Sequence, residues 1–239
     1  MLAFDLGGTR LKAAAVDGDQ PEGLVVAPSS LASVAEVGRR ILDDAAACDA
    51  VALAVPGTVV GGVVQVVPGK LDGLVGVDLR AWLADAFGLP VGAVVNDAHA
   101  FGWAEAAARP GRRRVLTVTI GTGLGTALVA DGEVRGLLSG QPFEARCSAA
   151  ALAAETSSAR AAGLDAYRAD LADALAALCF AHEPEVVVLG GGPMQPGNNV
   201  EPGMRNLLNE RLAPWLEVDV EAAVSGDAGG VVGVALLSR

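Results

Sequence analysis

Residues 5–9 (Asp-Leu-Gly-Gly-Thr) and residues 121–125 (Gly-Thr-Gly-Leu-Gly) are glycine-rich turns in equivalent places of the chain. Each turn lies between short apolar segments of the strand type. Glycine lets the backbone turn sharply and approach an oxygen-rich ligand, and successive free N–H groups form an anion-binding concavity. Either turn alone is more simply explained as an ordinary hairpin. Because each begins a similar part of the chain, the pair predicts two related α/β lobes with a ligand-binding cleft between them.

The order of apolar segments predicts alternating strands and helices along the whole chain. A boundary is indicated at residues 110–114, where Pro-Gly is followed by three arginines. The arginine run is itself most simply a solvated surface. We therefore expect two domains, residues 1–108 plus 226–239 and residues 109–225.

Composition excludes several classes of protein. The chain has 239 residues, 52% of them hydrophobic, and a formal net charge of −11. Its mean hydropathy of +0.44 excludes a largely disordered chain. No apolar run reaches the roughly 18–20 residues of a membrane span, and the first residues lack an export signal, so a cytoplasmic protein is expected. The acidic balance argues against nucleic acid or an anionic membrane as a partner.

Other common phosphate and metal sites are not indicated. The Gly69-Lys70 pair is followed by Leu71 and therefore does not form a P-loop. No glycine motif has the spacing and the downstream acidic residue of a dinucleotide-binding Rossmann unit. The three cysteines are scattered without a Cys-x-x-Cys pair, so they are expected to be small buried residues rather than zinc ligands or disulfides.

Further motifs follow the first turn in a characteristic order. They are Val55-Pro56-Gly57, residues 88–91 (Gly-Leu-Pro-Val) with Asn96-Asp97, residues 120–125, residues 188–192 and residues 226–233. Together with residues 5–12, they resemble the ROK (repressor, open reading frame, kinase) sugar kinases of the actin-like ATPase superfamily. The motifs extend over nearly the whole chain. The resemblance implies a two-lobed α/β actin-like ATPase (ribonuclease H-like) fold and an ATP-dependent, glucokinase-like sugar kinase.

The same resemblance implies that the glycine motifs bind ATP with Mg²⁺. Asp5 would hold Mg²⁺ through water, because this ion keeps part of its hydration shell. The residues implied to bind the nucleotide are Gly7, Gly8, Thr9, Lys12, Gly121, Thr122, Gly123, Gly190, Gly191 and Gly192. The two threonines would add hydroxyl donors, and the last three glycines would let adenosine lie against backbone. Lys12 is equally well explained as a lysine on a strand surface.

Asn96-Asp97 follows a predicted strand and begins a predicted helix. The resemblance implies that Asp97 is the general base for the sugar hydroxyl, that Asn96 orients the sugar, and that Gly57 belongs to the sugar site. Without the family context, Asp97 would be explained as a helix N-cap. We expect its pKa to be low, because a helix N-terminus stabilises a carboxylate, so that it would act as a base only in close contact with the hydroxyl. Farther along this helix, Glu105 is expected to pair locally.

The sugar half of the family pattern is incomplete. ROK sugar kinases usually have Glu-x-Gly-His after the second phosphate motif, with a zinc-binding cysteine cluster behind it. Neither element is present between Gly125 and Cys147. Phe143-Glu144 is similar to a later family segment, which implies a sugar contact for Glu144. The missing cysteines predict that no structural zinc is bound.

Two functions remain compatible with these motifs. The first is a sugar kinase of reduced ROK type, with ATP or another phosphoryl donor. The second is a catalytically degenerate ROK-like nucleotide-binding protein that acts as a sensor or partner subunit. The DNA-binding repressor branch is not expected, since Asp5 is already in the first phosphate motif and the charge is acidic. A small sugar and a nucleotide are the expected partners, and a homodimer stays open.

Overall fold

The computed structural model describes residues 1–44, 48–67, 69–121, 123–137, 141–155, 160–194, 200 and 203–239. The chain divides into two compact units. The first is Met1–Ala104 with Asp227–Arg239, and the second is Glu105–Gly226. The domain boundaries predicted from the sequence, at residues 108/109 and 225/226, stay a prediction. In the described part of the chain, no helix is long and apolar enough to cross a membrane.

The first unit contains a five-stranded sheet and a small two-stranded one. The strands are β1 (Leu2–Leu6), β2 (Arg10–Asp17), β3 (Gln20–Pro28), β4 (Val51–Val55), β5 (Thr58–Val60), β6 (Val63–Val66) and β7 (Val91–Asn96). The large sheet has the order β3-β2-β1-β4-β7. Its first three strands are antiparallel, whereas β4 is parallel to both β1 and β7. Every residue of β4 is buried, as expected for a central parallel strand that is covered on both faces.

Helices cover this sheet. They are α1 (Leu31–Asp44), α2 (Leu79–Phe87), α3 (Asp97–Ala107), whose last three residues belong to the second unit, and α8 (Gly229–Leu236). Both ends of α2 are capped by residues of the types that favour helix ends. Asp78 accepts a hydrogen bond from the Ala81 N–H at 3.0 Å, and Gly88 ends the helix in the left-handed conformation with a φ of 66°.

The second unit repeats the sheet of the first. Its strands are β8 (Arg114–Ile120), β9 (Leu124–Ala130), β10 (Glu133–Gly136), β11 (Val186–Gly191) and β12 (Asp219–Ala222), and its helices are α4 (Gln141–Cys147), α5 (Ala149–Glu155), α6 (Arg160–His182) and α7 (Met204–Leu212). The strand order is β10-β9-β8-β11-β12. The directions also match, since β8, β9 and β10 are antiparallel and β11 is parallel to β8 and β12. Two α/β units of the same topology confirm the predicted relationship.

The glycines of α8 allow this helix to pack directly on backbone. A Cβ at Gly233 would lie 1.7 Å from the carbonyl oxygen of Ala100 in α3. We expect Gly233→Ala to lower the free energy of unfolding by about 2–3 kcal/mol, because a helix backbone cannot move aside as a side chain can. Urea denaturation measures this loss. Gly111→Ala is the matched control, since a Cβ there meets nothing within 4 Å, and equal losses in both variants would contradict the close packing.

Candidate active site

Asp97 is the first residue of α3 and follows directly on β7. Its Oδ1 accepts a hydrogen bond from the Ala98 N–H at 2.8 Å. Burial raises the pKa of this carboxyl above its ordinary value of 3.8, although its backbone hydrogen bonds act in the opposite direction. The low pKa expected from the helix N-terminus is therefore wrong, because desolvation outweighs the favourable amides. A raised pKa makes the ionised carboxylate a stronger base, which is useful for proton abstraction near neutral pH.

Asn96 uses its side chain to hold this corner of the fold. Its Nδ2 donates to the carbonyl oxygen of Gly57 at 2.7 Å, and its Oδ1 accepts from the Ala98 and His99 N–H groups at 2.9 and 3.3 Å. Asn96 thus caps α3 and ties it to the turn after β4. The sugar contact implied for Asn96 stays a prediction, and this capping arrangement is a second reason for an asparagine here.

Gly57 has a backbone that other residues adopt only with strain. Its φ is 91°, and a Cβ would lie 2.1 Å from the carbonyl oxygen of Val66. The glycine is therefore required by the turn itself, and its role in a sugar site stays a prediction.

Asp5 lies in β1, opposite Lys12 of β2 in the antiparallel ladder. The pKa of Asp5 is raised to about 7, chiefly by burial and then by the negative charge of Asp97, and Asp227 adds to the effect. The positive charge of Lys12 partly offsets this shift. Gly230 of α8 makes the close packing possible, because a Cβ there would lie 2.5 Å from Asp5 Oδ2.

Lys12 forms an ion pair with Asp227, whose Oδ1 lies 3.0 Å from Lys12 Nζ. The side chain of Lys12 is thus engaged with a carboxylate, and its predicted phosphate contact stays untested. Asp227 was not predicted as a site residue, although it belongs to the closing motif at residues 226–233. We call Asp5, Asp97, Asp227 and Lys12 the carboxylate cluster.

Carboxylate oxygens are the ligands that Mg²⁺ prefers, and this chemistry is the basis for expecting a hydrated ion beside Asp5. The pKa of Asp5 is raised chiefly by burial, and the negative charges of Asp97 and Asp227 add to this shift, so a nearby cation would favour the ionised carboxylate. Within the described ranges, no group of three or more His, Cys, Asp or Glu side chains is arranged to hold a metal ion. That Asp5 holds a hydrated Mg²⁺ stays a prediction.

The first glycine turn joins β1 to β2. The N–H of Gly7 donates to the carbonyl oxygen of Arg10 at 2.9 Å, and Ser29 Oγ donates to the carbonyl oxygen of Gly7. Gly8 and Thr9 are exposed, so their backbone is accessible to a ligand. The turn is thus fixed at its base by Gly7 and open at its tip.

The second glycine turn joins β8 to β9. The N–H of Gly121 donates to the carbonyl oxygen of Gly123 at 2.9 Å, and the Gly121 carbonyl accepts from the Ala149 N–H of α5 at 3.0 Å. Thr122 lies outside the described residues. A Cβ at Gly123 would be 2.3 Å from Glu144 Oε1, so the carboxylate of Glu144 lies directly beside this turn. The structure therefore places Glu144, predicted as a sugar ligand, next to a predicted phosphate-binding glycine.

The third glycine motif ends β11. Gly190 and Gly191 pair with Thr119 and Ile120 of β8. Gly191 has a φ of 96°, and a Cβ there would lie 2.1 Å from the Ile120 carbonyl oxygen, so only glycine fits without strain. Gly192 then begins a short 3-10 turn. The adenosine contact implied for these glycines stays a prediction.

Two cysteines are buried in the core of the second unit. Cys147 and Cys179 have no exposed surface, and burial raises their pKa values to about 11 and 12, respectively. Tyr167 packs beside them, and its hydroxyl donates to the Cys147 carbonyl oxygen at 2.6 Å. These two thiols are thus small core residues, as expected from their scattered positions. That the protein binds no structural zinc stays a prediction.

Comparison with known proteins agrees with this geometry. The chain matches the model of the ROK family over residues 1–142 and 137–239. The N-acetylmannosamine kinase of Citrobacter koseri is 33% identical over 147 residues, which cover 58% of this chain and 50% of that protein. The chain spans about half the length of the curated relatives it matches.

Two solved structures share the fold over nearly their whole length. The ROK hexokinase of Thermus thermophilus is 26% identical with a TM-score of 0.81, covering 100% of this chain and 97% of that structure. The inorganic polyphosphate/ATP-glucomannokinase of Arthrobacter sp. strain KM is 26% identical with a TM-score of 0.78, covering 99% and 96%. The α/β fold is thus of the actin-like ATPase type, as predicted. With the family model matched from the first residue to the last, the chain belongs to the ROK family.

Proposed function

We propose that this protein is a sugar kinase that transfers the γ-phosphoryl group of ATP to a hydroxyl of a hexose or amino sugar. In this reaction the sugar oxygen forms a bond to the γ-phosphorus while the bond from that phosphorus to the β,γ-bridging oxygen breaks. The hydroxyl proton passes to a carboxylate, and ADP leaves with the bridging oxygen. Catalysis of this kind depends mainly on orientation and on charge stabilisation.

The position of Asp97 is the observation that carries this proposal. Its carboxylate is half-buried at the start of α3, desolvation raises its pKa, and its charge contributes to the raised pKa of Asp5. The Ala98 N–H donates to this carboxylate and also to Asn96 Oδ1, which fixes the start of the helix. A fixed, partly desolvated carboxylate is suited to accept a proton from a hydroxyl that contacts it.

The proposal assigns the nucleotide to the glycine motifs. Phosphate contacts are assigned to Gly7, Gly8 and Thr9 of the first turn and to residues 121–123 of the second. Adenosine is assigned to Gly190–Gly192. A bound Mg²⁺ would neutralise phosphate charge, and Asp5 would orient its water ligands. Lys12 reaches the phosphates only if it leaves Asp227, to which it is paired.

The proposed sugar specificity rests on the related proteins and on a motif that this chain lacks. The related proteins are named as an N-acetylmannosamine kinase, a hexokinase and a glucomannokinase, so glucose is one candidate among several. The absent Glu-x-Gly-His segment removes hydrogen-bonding groups that distinguish hydroxyl configurations. We therefore propose broad or weak recognition of hexoses and N-acetylhexosamines.

The test is ADP release from MgATP with a panel of glucose, mannose, N-acetylglucosamine and N-acetylmannosamine. We expect sugar-dependent ADP release with at least one of them, and a phosphorylated sugar in the product by mass spectrometry. A second series with polyphosphate tests the phosphoryl donor. Nucleotide binding by calorimetry together with no turnover on the whole panel would favour the degenerate nucleotide-binding protein instead.

Glu144→Gln tests the sugar contact assigned to Glu144. Loss of a charged hydrogen-bond acceptor is expected to raise the sugar KM about tenfold and to leave the nucleotide KM unchanged. Steady-state kinetics with each substrate varied measures both values, with Glu133→Gln as an exposed control. Because Glu144 Oε1 lies beside Gly123, a change in the nucleotide KM alone would reassign Glu144 to the phosphate turn.

A further inference from the structure

The chain passes between its two units twice, after Ala104 and after Gly226. A set of polar contacts within the second unit lies next to both of these crossing points in the sequence. We call this set the crossing clamp, and it consists of Glu105, Arg109, Glu221, Val224 and Ser225. Its members come from the end of α3 and from the segment that follows β12.

Glu105 is the centre of the crossing clamp. Its side chain is completely buried. Its Oε1 accepts from the Ser225 N–H at 2.9 Å and from Ser225 Oγ, and its Oε2 accepts from the Val224 N–H at 3.1 Å. Arg109 Nη1 donates to Oε2 at 2.6 Å, which confirms the local pair expected for Glu105. The carboxylate thus accepts from Arg109, which is four residues away, and from Val224 and Ser225, which are 119 and 120 residues away in the sequence.

Arg109 extends the clamp to β12. Its Nε donates to Glu221 Oε2 at 2.7 Å, and its Nη2 donates to the Ala222 carbonyl oxygen at 3.0 Å. Its Nη1 also donates to the Glu105 carbonyl oxygen at 2.9 Å, in the last turn of α3. Within the second unit, the rigid guanidinium therefore joins Glu105 to Glu221 and Ala222 of β12.

A buried network of this kind is better suited to specifying position than to adding stability. Desolvation of the two charges offsets most of their attraction, while removal of one partner leaves the others unpaired in a buried place. Two residues of the crossing clamp are close in the sequence to members of the carboxylate cluster. Asp97 is eight residues before Glu105 in the same helix, and Asp227 is two residues after Ser225.

We propose that Glu105 is a positioning residue that joins the two crossing segments and thereby sets the places of Asp97 and Asp227. The role of Asp97 in this inference rests on the proposed function, whereas the clamp itself does not. Glu105 contacts neither substrate nor reacting atoms in this proposal. It acts through α3 on one side and through residues 224–227 on the other.

Glu105→Gln tests the proposal with little change of shape. The glutamine amide places an NH₂ group where Oε1 or Oε2 accepts hydrogen bonds, so donors face donors. We expect the Val224 and Ser225 amides to exchange hydrogen at least tenfold faster, and the Ala98 amide beside Asp97 to exchange faster as well. In the active enzyme, kcat per folded molecule should fall at least tenfold with KM changed less than twofold. Ser225→Ala, which removes one donor, should give smaller changes in the same direction.

The matched control is Glu133→Gln, an exposed glutamate of the same unit that pairs with Arg135 at 2.7 Å. Faster exchange confined to Val224 and Ser225, with Ala98 and kcat unchanged, would overturn the positioning role and leave a structural one. Unchanged exchange at Val224 and Ser225 would overturn the clamp itself. If the parent protein phosphorylates no sugar, the proposed function fails, and exchange at Ala98 still decides the inference.

Discussion

Replacing Asp97 with asparagine is expected to lower kcat by about 10²- to 10⁴-fold, the range typical of a lost general base. The amide keeps the shape of the side chain but cannot accept the hydroxyl proton. Nucleotide affinity should stay nearly unchanged, because Asp97 is assigned to the acceptor hydroxyl and not to ATP. Coupled measurement of ADP release gives kcat, and calorimetry gives the nucleotide Kd.

Asp85→Asn is the matched control, because Asp85 is an exposed aspartate on α2 in the same unit. It should retain the kcat of the parent protein. A tenfold or smaller loss in Asp97→Asn would show that another group accepts the proton. A large loss of nucleotide affinity in this variant would instead place Asp97 in the nucleotide site.

Asp5→Asn is expected to stabilise the ligand-free protein at pH 8 by about 2–4 kcal/mol and to have little effect at pH 4. The size of the effect at pH 8 follows because each unit of pKa difference corresponds to about 1.4 kcal/mol. The pKa of Asp5 is about 7 in the folded protein against an ordinary value of 3.8. The stability that the protonated Asp5 contributes is therefore fully present below pH 3.8 and is lost as the pH rises through about 7. Asparagine does not titrate, so the variant avoids this loss.

Urea denaturation from pH 4 to pH 8, without Mg²⁺ or nucleotide, measures the difference between Asp5→Asn and the parent. Groups that titrate equally in both proteins cancel in this difference. Asp17→Asn, at an exposed position of β2, is the control for the exchange of aspartate for asparagine. A difference that is constant over this pH range would mean that Asp5 has no raised pKa.

The glycine turns and the strand pattern were predictable because each depends on a few neighbouring residues. The turns at residues 5–9 and 121–125, the buried strand β4 and the capped helix α2 follow from local apolar runs, glycines and Asp78. Local patterns did not indicate the edge strands β3 and β12, whose residues are largely exposed or half-buried. Such strands have weak hydrophobic alternation, so their pairing is decided by the neighbouring strand.

The pKa of Asp97 shows where local reasoning fails. A helix N-terminus lowers the pKa of a carboxylate, and that effect is visible in the sequence. Burial by β7, α3 and their neighbours raises it, and no sequence pattern reports how much water a side chain loses. The same limit applies to Asn96, whose side chain is engaged by the fold and whose bond to Gly57 spans 39 residues.

The sequence by itself determined the ROK family and the two related α/β units, because these depend on short motifs in a recognisable order. The residues proposed to carry the chemistry come from the same motifs and stay a prediction. The tertiary structure alone decided which charges meet. Lys12 pairs with Asp227 from 215 residues away, and Glu105 holds Ser225 from 120 residues away. A charged side chain finds its partner through the packing of whole elements. Its neighbours in the sequence therefore indicate only local pairs such as Glu105 with Arg109.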